Sequence, residues 1–284
     1  MRLIYFAAVL MIIVPAFVYA APQSIAVGQV QSAPTIDGDL TEWGTDGWIT
    51  VAVKPSLEDD KDNLTGKLDV ELKVAVQGDM FYLAARWPDS KEDLEYKNWV
   101  WKRKKYKRDK KLDDMFAVRF HMSGDYAPSM LAEKTYTADV WLWSAGRSNQ
   151  AGYANDMSHL ITTKMLENAA EYKGPTGKII YIKKSADEGS PIYENLKINR
   201  KKKQDDKLTS IAIKDNASGS VADVRSKGVW KDGSWYLEMS RKLDTGYPDD
   251  VAFKSGESLL GAIAVFNKGE MEHKSASGDL IFEF

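Results

Sequence analysis

An antiparallel β-sandwich with long loops and one or two short helices is the fold class that this 284-residue sequence predicts. Three observations predict it. Apolar and polar residues alternate with period two over many short stretches, Gly, Asp and Asn turn signals separate those stretches, and long helical periodicity is scarce.

The elements follow in order. Arg2 precedes an unbroken apolar run from Leu3 to Pro15, and Val18 and Ala20 occupy the small-residue positions of a signal-peptidase site. Residues 1–20 read as a secretory leader, and 21–284 as a single mature domain. Pro15 inside so short a run disfavours an uncleaved membrane anchor. No later segment is apolar enough to span a bilayer.

PTIDGDLTEW (Pro34–Trp43) carries a turn at Asp37-Gly38, with Trp43 expected to anchor a first strand in the core. Val70, Leu72, Val74 and Val76 alternate with polar residues, Gly78-Asp79 turns, and Met80–Ala85 returns as a hairpin. Asp114–Met122 is a strand with Phe116, Val118, Phe120 and Met122 on one face. Ala138–Ser144 is another, with Trp141 and Trp143 opposite Val140 and Leu142.

Ser158–Glu171 is the best helix candidate. The polar stretch from about 173 to 224 reads as a large insertion. Val229–Arg241 is a hairpin turning at Asp232-Gly233. Leu259–Phe266 suits a buried strand, and Leu280–Phe284 closes the chain.

Composition removes whole classes of function. Cysteine is absent, which excludes disulfides, thioether-linked haem, iron–sulfur clusters, thiolate zinc and blue copper. The three histidines, His121, His159 and His273, form no local metal pair. Nucleophile-elbow, Walker and dinucleotide motifs do not occur. Adjacent acids such as Asp113-Asp114 would point to opposite faces of a strand, so they make poor acid/base pairs.

A formal net charge of −2 argues against a general nucleic-acid binder. The basic runs Lys102–Lys111 (KRKKYKRDKK) and Arg200–Lys203 (RKKK) are solvated loops or a docking surface for an acidic partner, a membrane or a polyanion.

Two functional readings stand on motifs. Pro34–Trp43 resembles the N-terminus of family 9 carbohydrate-binding modules, which implies sugar stacking on exposed tryptophans. A broader resemblance starts from the same motif. It adds a methionine about ten residues before a W-x-W strand, an A-G-Y-A-N-D loop, and a C-terminal apolar strand with a lysine near a serine (IAVFNKGEMEHKSAS, Ile263–Ser277).

These features resemble the haem-binding gamma-subunit family of ethylbenzene dehydrogenase, dimethylsulfide dehydrogenase, and chlorate and selenate reductases. The resemblance implies non-covalent haem b in a β-sandwich, with one methionine and one lysine as axial ligands. Met130 matches the methionine position, with Met122 second. Lys274 matches the lysine, with Lys268 second. Trp141, Trp143 and Tyr153 would line the pocket. Related members often read W-x-W-K-A where this chain has Ser144; Arg147 would replace that lysine toward a propionate.

The implied partners are a molybdopterin catalytic subunit, an iron–sulfur subunit and a soluble cytochrome, in the periplasm or an equivalent exported compartment. The implied role is electron transfer rather than catalysis. The chemistry is consistent. A thioether is a soft neutral ligand that raises the potential, a lysine ligates only as the free amine, and six-coordinate iron has no open position for substrate.

Overall fold

The computed structural model describes residues 21–57 and 59–284, so the expected leader lies outside the described residues. Two β-sheets face each other and are joined at a corner. The strands used below are β1 (Gln23–Ala26), β2 (Gly28–Gln29), β3 (Ile49–Pro55), β4 (Leu68–Gln77), β5 (Met80–Pro88), β6 (Trp99–Lys102), β7 (Lys105–Arg108), β8 (Met115–Gly124) and β9 (Tyr136–Ser144). They continue with β10 (Asn155–Thr162), β11 (Ala170–Lys173), β12 (Ile179–Ala186), β13 (Arg225–Lys231), β14 (Ser234–Lys242), β15 (Ser258–Phe266), β16 (Ser275–Ala276) and β17 (Leu280–Glu283).

The first sheet runs β11-β12-β10-β9-β8-β15, with β17 and then β1 on the far side of β15. The second runs β3-β4-β5-β14-β13. The short β16 pairs with both β15 and β3 and makes the corner. The expected antiparallel sandwich is therefore found. Among the described residues, the only helical elements are three 3-10 turns.

The core lies between the sheets because the alternating apolar faces point there. Phe116, Val118 and Phe120 of β8 meet Phe81, Leu83 and Trp87 of β5 and Leu237 and Met239 of β14. Trp141 and Trp143 belong to this core and are fully buried. Trp141 sits edge-on to Phe120 at 5.2 Å, and Trp143 edge-on to Trp235 at 4.9 Å. Gly228 of β13 lies under Trp143, where an added Cβ would fall 2.3 Å from the indole.

Two elements depart from the sequence expectation. Ser158–Glu171 is not helical: its first part completes β10, which is hydrogen-bonded on both sides, to β9 and β12. Two ladders outweigh a weak helical pattern at Ile161, Thr162 and Thr163, whose β-branched side chains favour the pleat.

The segment Leu40–Trp43 is a 3-10 turn rather than a strand, capped by the Asp39 side chain. Trp43 packs on Ala75, Tyr82 and Ala84, on the outer face of the second sheet. Its indole donates to Glu238 Oε1 at 2.7 Å, while Asp37 N and Gly38 N donate to Glu238 Oε2 at 3.0 and 2.8 Å. One buried carboxylate thus clasps the whole motif.

The two basic runs, about ninety residues apart, meet. β6 and β7 form a hairpin with Arg103 and Lys104 at its tip, and Lys207–Leu208 adds a third strand against β6. Arg108 and Arg200 stand over the Trp99 ring at 4.6 and 4.7 Å. Arg103 and Lys104 both have positive φ, at 51° and 63°. Within the 173–224 stretch, strands after β12 are only two or three residues long.

Candidate functional site

The outer face of the first sheet, turned away from the core, lies under the loops that carry Met130 and Lys274. Strand alternation puts Phe116, Val118 and Phe120 inward, so Ala117, Arg119 and His121 of β8 point outward. The register then assembles rows across the sheet. Ala276, Ala264, Ala117 and Leu142 stand side by side on four strands. The next row holds Ala262, Arg119, Val140 and Met157. The row after it holds His121, Ala138, His159 and Lys184. The alanines keep this floor low and flat.

Two loops reach over the floor. The loop between β8 and β9 brings Met130, which packs with Tyr126, Tyr136, Ala138, Val140, Ile161 and Ile182. Arg119 holds that loop from below. Its guanidinium donates to Ala127 O at 3.1 Å, Pro128 O at 2.5 Å and Tyr136 Oη at 3.0 Å, and it stacks on Tyr126 and Tyr136. The loop between β15 and β16 brings Lys274, half-buried, with Nζ 5.8 Å from the Phe266 ring centroid and donating to Met271 O at 2.7 Å. Lys97 fastens this second loop through Glu270, at 2.7 Å.

The electrostatics of the floor are unusual. Desolvation, with the nearby cations Lys184 and Arg119, brings the Lys274 amine down to about 7. His159 is only 6 % exposed, and neither ring nitrogen has a hydrogen-bond partner. Desolvation, then Lys184, Arg119 and Lys274, hold it well below its ordinary value, so it is a neutral imidazole. A buried imidazole without partners and a lysine half-deprotonated at neutral pH are costly in a plain sheet surface. They suit a site for an apolar, flat, metal-bearing group with anionic edges. The donor set of Met130 and Lys274 on an alanine floor is compatible with haem b.

The other predicted residues are placed elsewhere. Trp141 and Trp143 back the same sheet from its core side and do not reach the floor. Arg147 is buried against Asp113 at 3.0 Å and stacks on Tyr96 at 4.1 Å, so its charge is already partnered. Tyr153 packs beneath Arg225, with Ile192 and Val221. Met122 sits at the β8 bulge between His121 and Ser123. Lys268 pairs with Asp93 at 2.9 Å.

Arg119, His159 and Lys184 were not singled out by sequence reasoning. The signal for His159 was its alternation with Met157 and Ile161, which the helical reading of that segment concealed.

The ethylbenzene dehydrogenase family matches residues 48–278 of the chain. A comparison with curated proteins finds no match. Among solved structures, a putative carbohydrate-binding protein from Bacteroides uniformis is similar over 93 % of this chain and 100 % of its own, at 10 % identity and a TM-score of 0.45. A family 9 carbohydrate-binding module from Caldicellulosiruptor kristjanssonii, in complex with glucose, is similar over 92 % of this chain and 96 % of its own, at 11 % identity and a TM-score of 0.36.

Proposed function

The chain belongs to the ethylbenzene dehydrogenase family, and on that premise we propose that it is an exported, haem b-binding electron-transfer subunit of a molybdoenzyme complex. The observation that supports this reading is that the loops carrying Met130 and Lys274 both lie over one sheet face, which also holds the unpartnered His159. Met130 and Lys274 are the residues that would hold the haem.

When bound, haem supplies a one-electron carrier, and the chain's own residues supply the rest. Arg119 positions the Met130 loop through two carbonyls. Lys274 offers a free amine at neutral pH once it turns from Met271 O. The alanine rows give a flat approach, and the aromatic core behind them stiffens the sheet. The partners of this reading are a molybdopterin subunit, an iron–sulfur subunit and a soluble cytochrome, in the periplasm.

The test is spectroscopic. Protein purified with haem available is expected to show a low-spin b-type reduced spectrum that survives desalting. Met130→Ala and Lys274→Ala are each expected to convert it toward high spin. Retention of the low-spin spectrum in both variants would remove the ligand assignment. A colourless protein that binds glucose or other glycans would replace the whole reading with that of a carbohydrate-binding module.

A further inference from the structure

At the end of the sandwich core, away from the Met130–Lys274 face, carboxylates from both sheets and their loops crowd around one guanidinium. Asp139 of β9 and Asp156 of β10 are fully buried. Arg241 Nη1, from β14 in the opposite sheet, lies 2.8 Å from Asp139 Oδ2, 2.8 Å from Asp156 Oδ2 and 3.5 Å from Asp250 Oδ1. Asp223 follows the 3-10 turn Ser220–Ala222 and lies beside this end of β10, where Ala154 N donates to Val224 O at 3.0 Å. Asp187 follows β12, and its backbone N–H donates to Asp156 O at 3.5 Å. Asp139, Asp156 and Asp250 each place a carboxylate oxygen within 4.8 Å of the others.

Arg241, together with Val251 N on Asp139, Met157 N on Asp156, and Ser220 Oγ and Thr245 Oγ1 on Asp250, leaves part of this set without a donor. Asp187 is 7 % exposed, yet neither of its carboxylate oxygens has a donor. The same holds for both oxygens of Asp223 and for Asp139 Oδ1. Five carboxylates would carry five negative charges against one positive charge in a water-poor interior. Ionised carboxylates do not stay buried in contact with one another without a proton or a cation between them.

The donor set is all oxygen, irregular, and drawn from several loops and strands, with more than one carboxylate able to bind through both oxygens. A small ion demanding near-ideal octahedral geometry suits it poorly, and a larger hard cation with six to eight oxygen ligands suits it well.

We propose that Asp139, Asp156, Asp187, Asp223 and Asp250 form a structural calcium site that ties the two sheets together beside Arg241. The site is independent of the haem reading. In an exported compartment a binding constant of about 10⁻⁴ to 10⁻³ M is enough for occupancy. Binding there lowers the electrostatic cost of the end of β10 that carries the A-G-Y-A-N-D loop.

Trp141 makes the site observable, because its ring centroid lies 4.9 Å from the Arg241 guanidinium carbon. Terbium added to metal-free protein is expected to luminesce on tryptophan excitation and to be displaced by calcium. About 10 mM calcium is expected to raise Tm by about 5 °C over the protein in EDTA. The Asp187→Asn, Asp223→Asn double variant removes charge without leaving a new unpaired one. It is expected to fold, to lose the calcium shift and to lose sensitised emission.

Absence of terbium emission with identical Tm in EDTA and calcium would overturn the proposal. So would a double variant that keeps the full calcium response. Burial pushes Asp187 and Asp223 up to about 7, so protons are the rival counter-charge. Stability that rises from pH 8 to pH 5.5 and ignores calcium would assign the cluster to protons instead.

Discussion

Lys274 shows how surroundings set the protonation of a single position. A lysine on an exposed loop keeps its charge near neutral pH, but this one is brought down to about 7 by desolvation and by Lys184 and Arg119. The unfolded chain holds its proton up to about 10.4. Between pH 7 and that value the unfolded state therefore carries a proton that the folded state lacks. The Lys274 contribution to stability rises with pH across that window, and the full cost of the buried charge is present below pH 7. Lys274 could hold a haem iron only as the unprotonated amine. Haem affinity of the apo-protein, measured by absorbance titration, is expected to increase from pH 6 to pH 8, and Lys274→Ala is expected to flatten that rise. An equal slope in wild type and variant would separate the titration from Lys274.

At the scale of elements, register and loop anchorage decide what meets what. Arg119 belongs to β8, yet its hydrogen bonds end in the loop that carries Met130. Arg119→Ala is expected to leave the sheet paired while freeing the loop, with mixed-spin haem and a shifted midpoint potential. Arg119→Lys, lacking the planar fork, is expected to restore little of the low-spin signal. A variant with unchanged spectrum and potential would show that the loop holds itself.

On the core side, Gly228 of β13 leaves no room for a side chain against Trp143. Gly228→Ala is expected to cost about 1–3 kcal/mol in urea unfolding, the usual penalty for overpacking a well-filled core. It is expected to leave haem ligation intact, because Trp143 lies behind the sheet.

Across the whole molecule, charge is segregated. The β6–β7 hairpin and the 200–207 segment form one basic platform, although the chain as a whole carries −2. Two-residue hairpin turns of this kind favour Asn and Gly, yet Arg103 and Lys104 occupy the left-handed positions here. Lys102, Arg103, Lys104 and Lys105 are exposed and make no ion pair among the described residues. Within the proposed complex this platform would offer a docking face to an acidic subunit surface. Changing Arg103, Lys104, Lys201 and Lys202 together to Ser is expected to slow complex assembly at least tenfold at low salt, with the difference shrinking as ionic strength rises. Assembly that is equally fast in the variant would leave the platform as a solvated surface.

The sandwich was legible because period-two alternation at Val70–Val76 and Phe116–Met122 and the turns at Gly78-Asp79 and Asp232-Gly233 are local properties, and burial then follows from one face being apolar. Met130 and Lys274 are proposed as ligands only through resemblance, since a lone methionine or lysine carries no local signal of ligation. The pairing of β10 on both sides was not legible, nor was its consequence for His159: hydrogen bonding to two neighbours is a long-range fact that outweighs a weak helical pattern.

The tryptophans carry the same lesson from the other side. Trp141 and Trp143 stood beside Met130 in sequence, but the pleat sends them into the core. The sequence by itself determined the fold class, the absence of thiol-held cofactors and the two faces of each strand. Only tertiary structure decided which face of the first sheet became the core, which loops closed over the other face, and which three carboxylates met at Arg241. Those outcomes depend on contacts between residues tens to hundreds of positions apart, which no local pattern records.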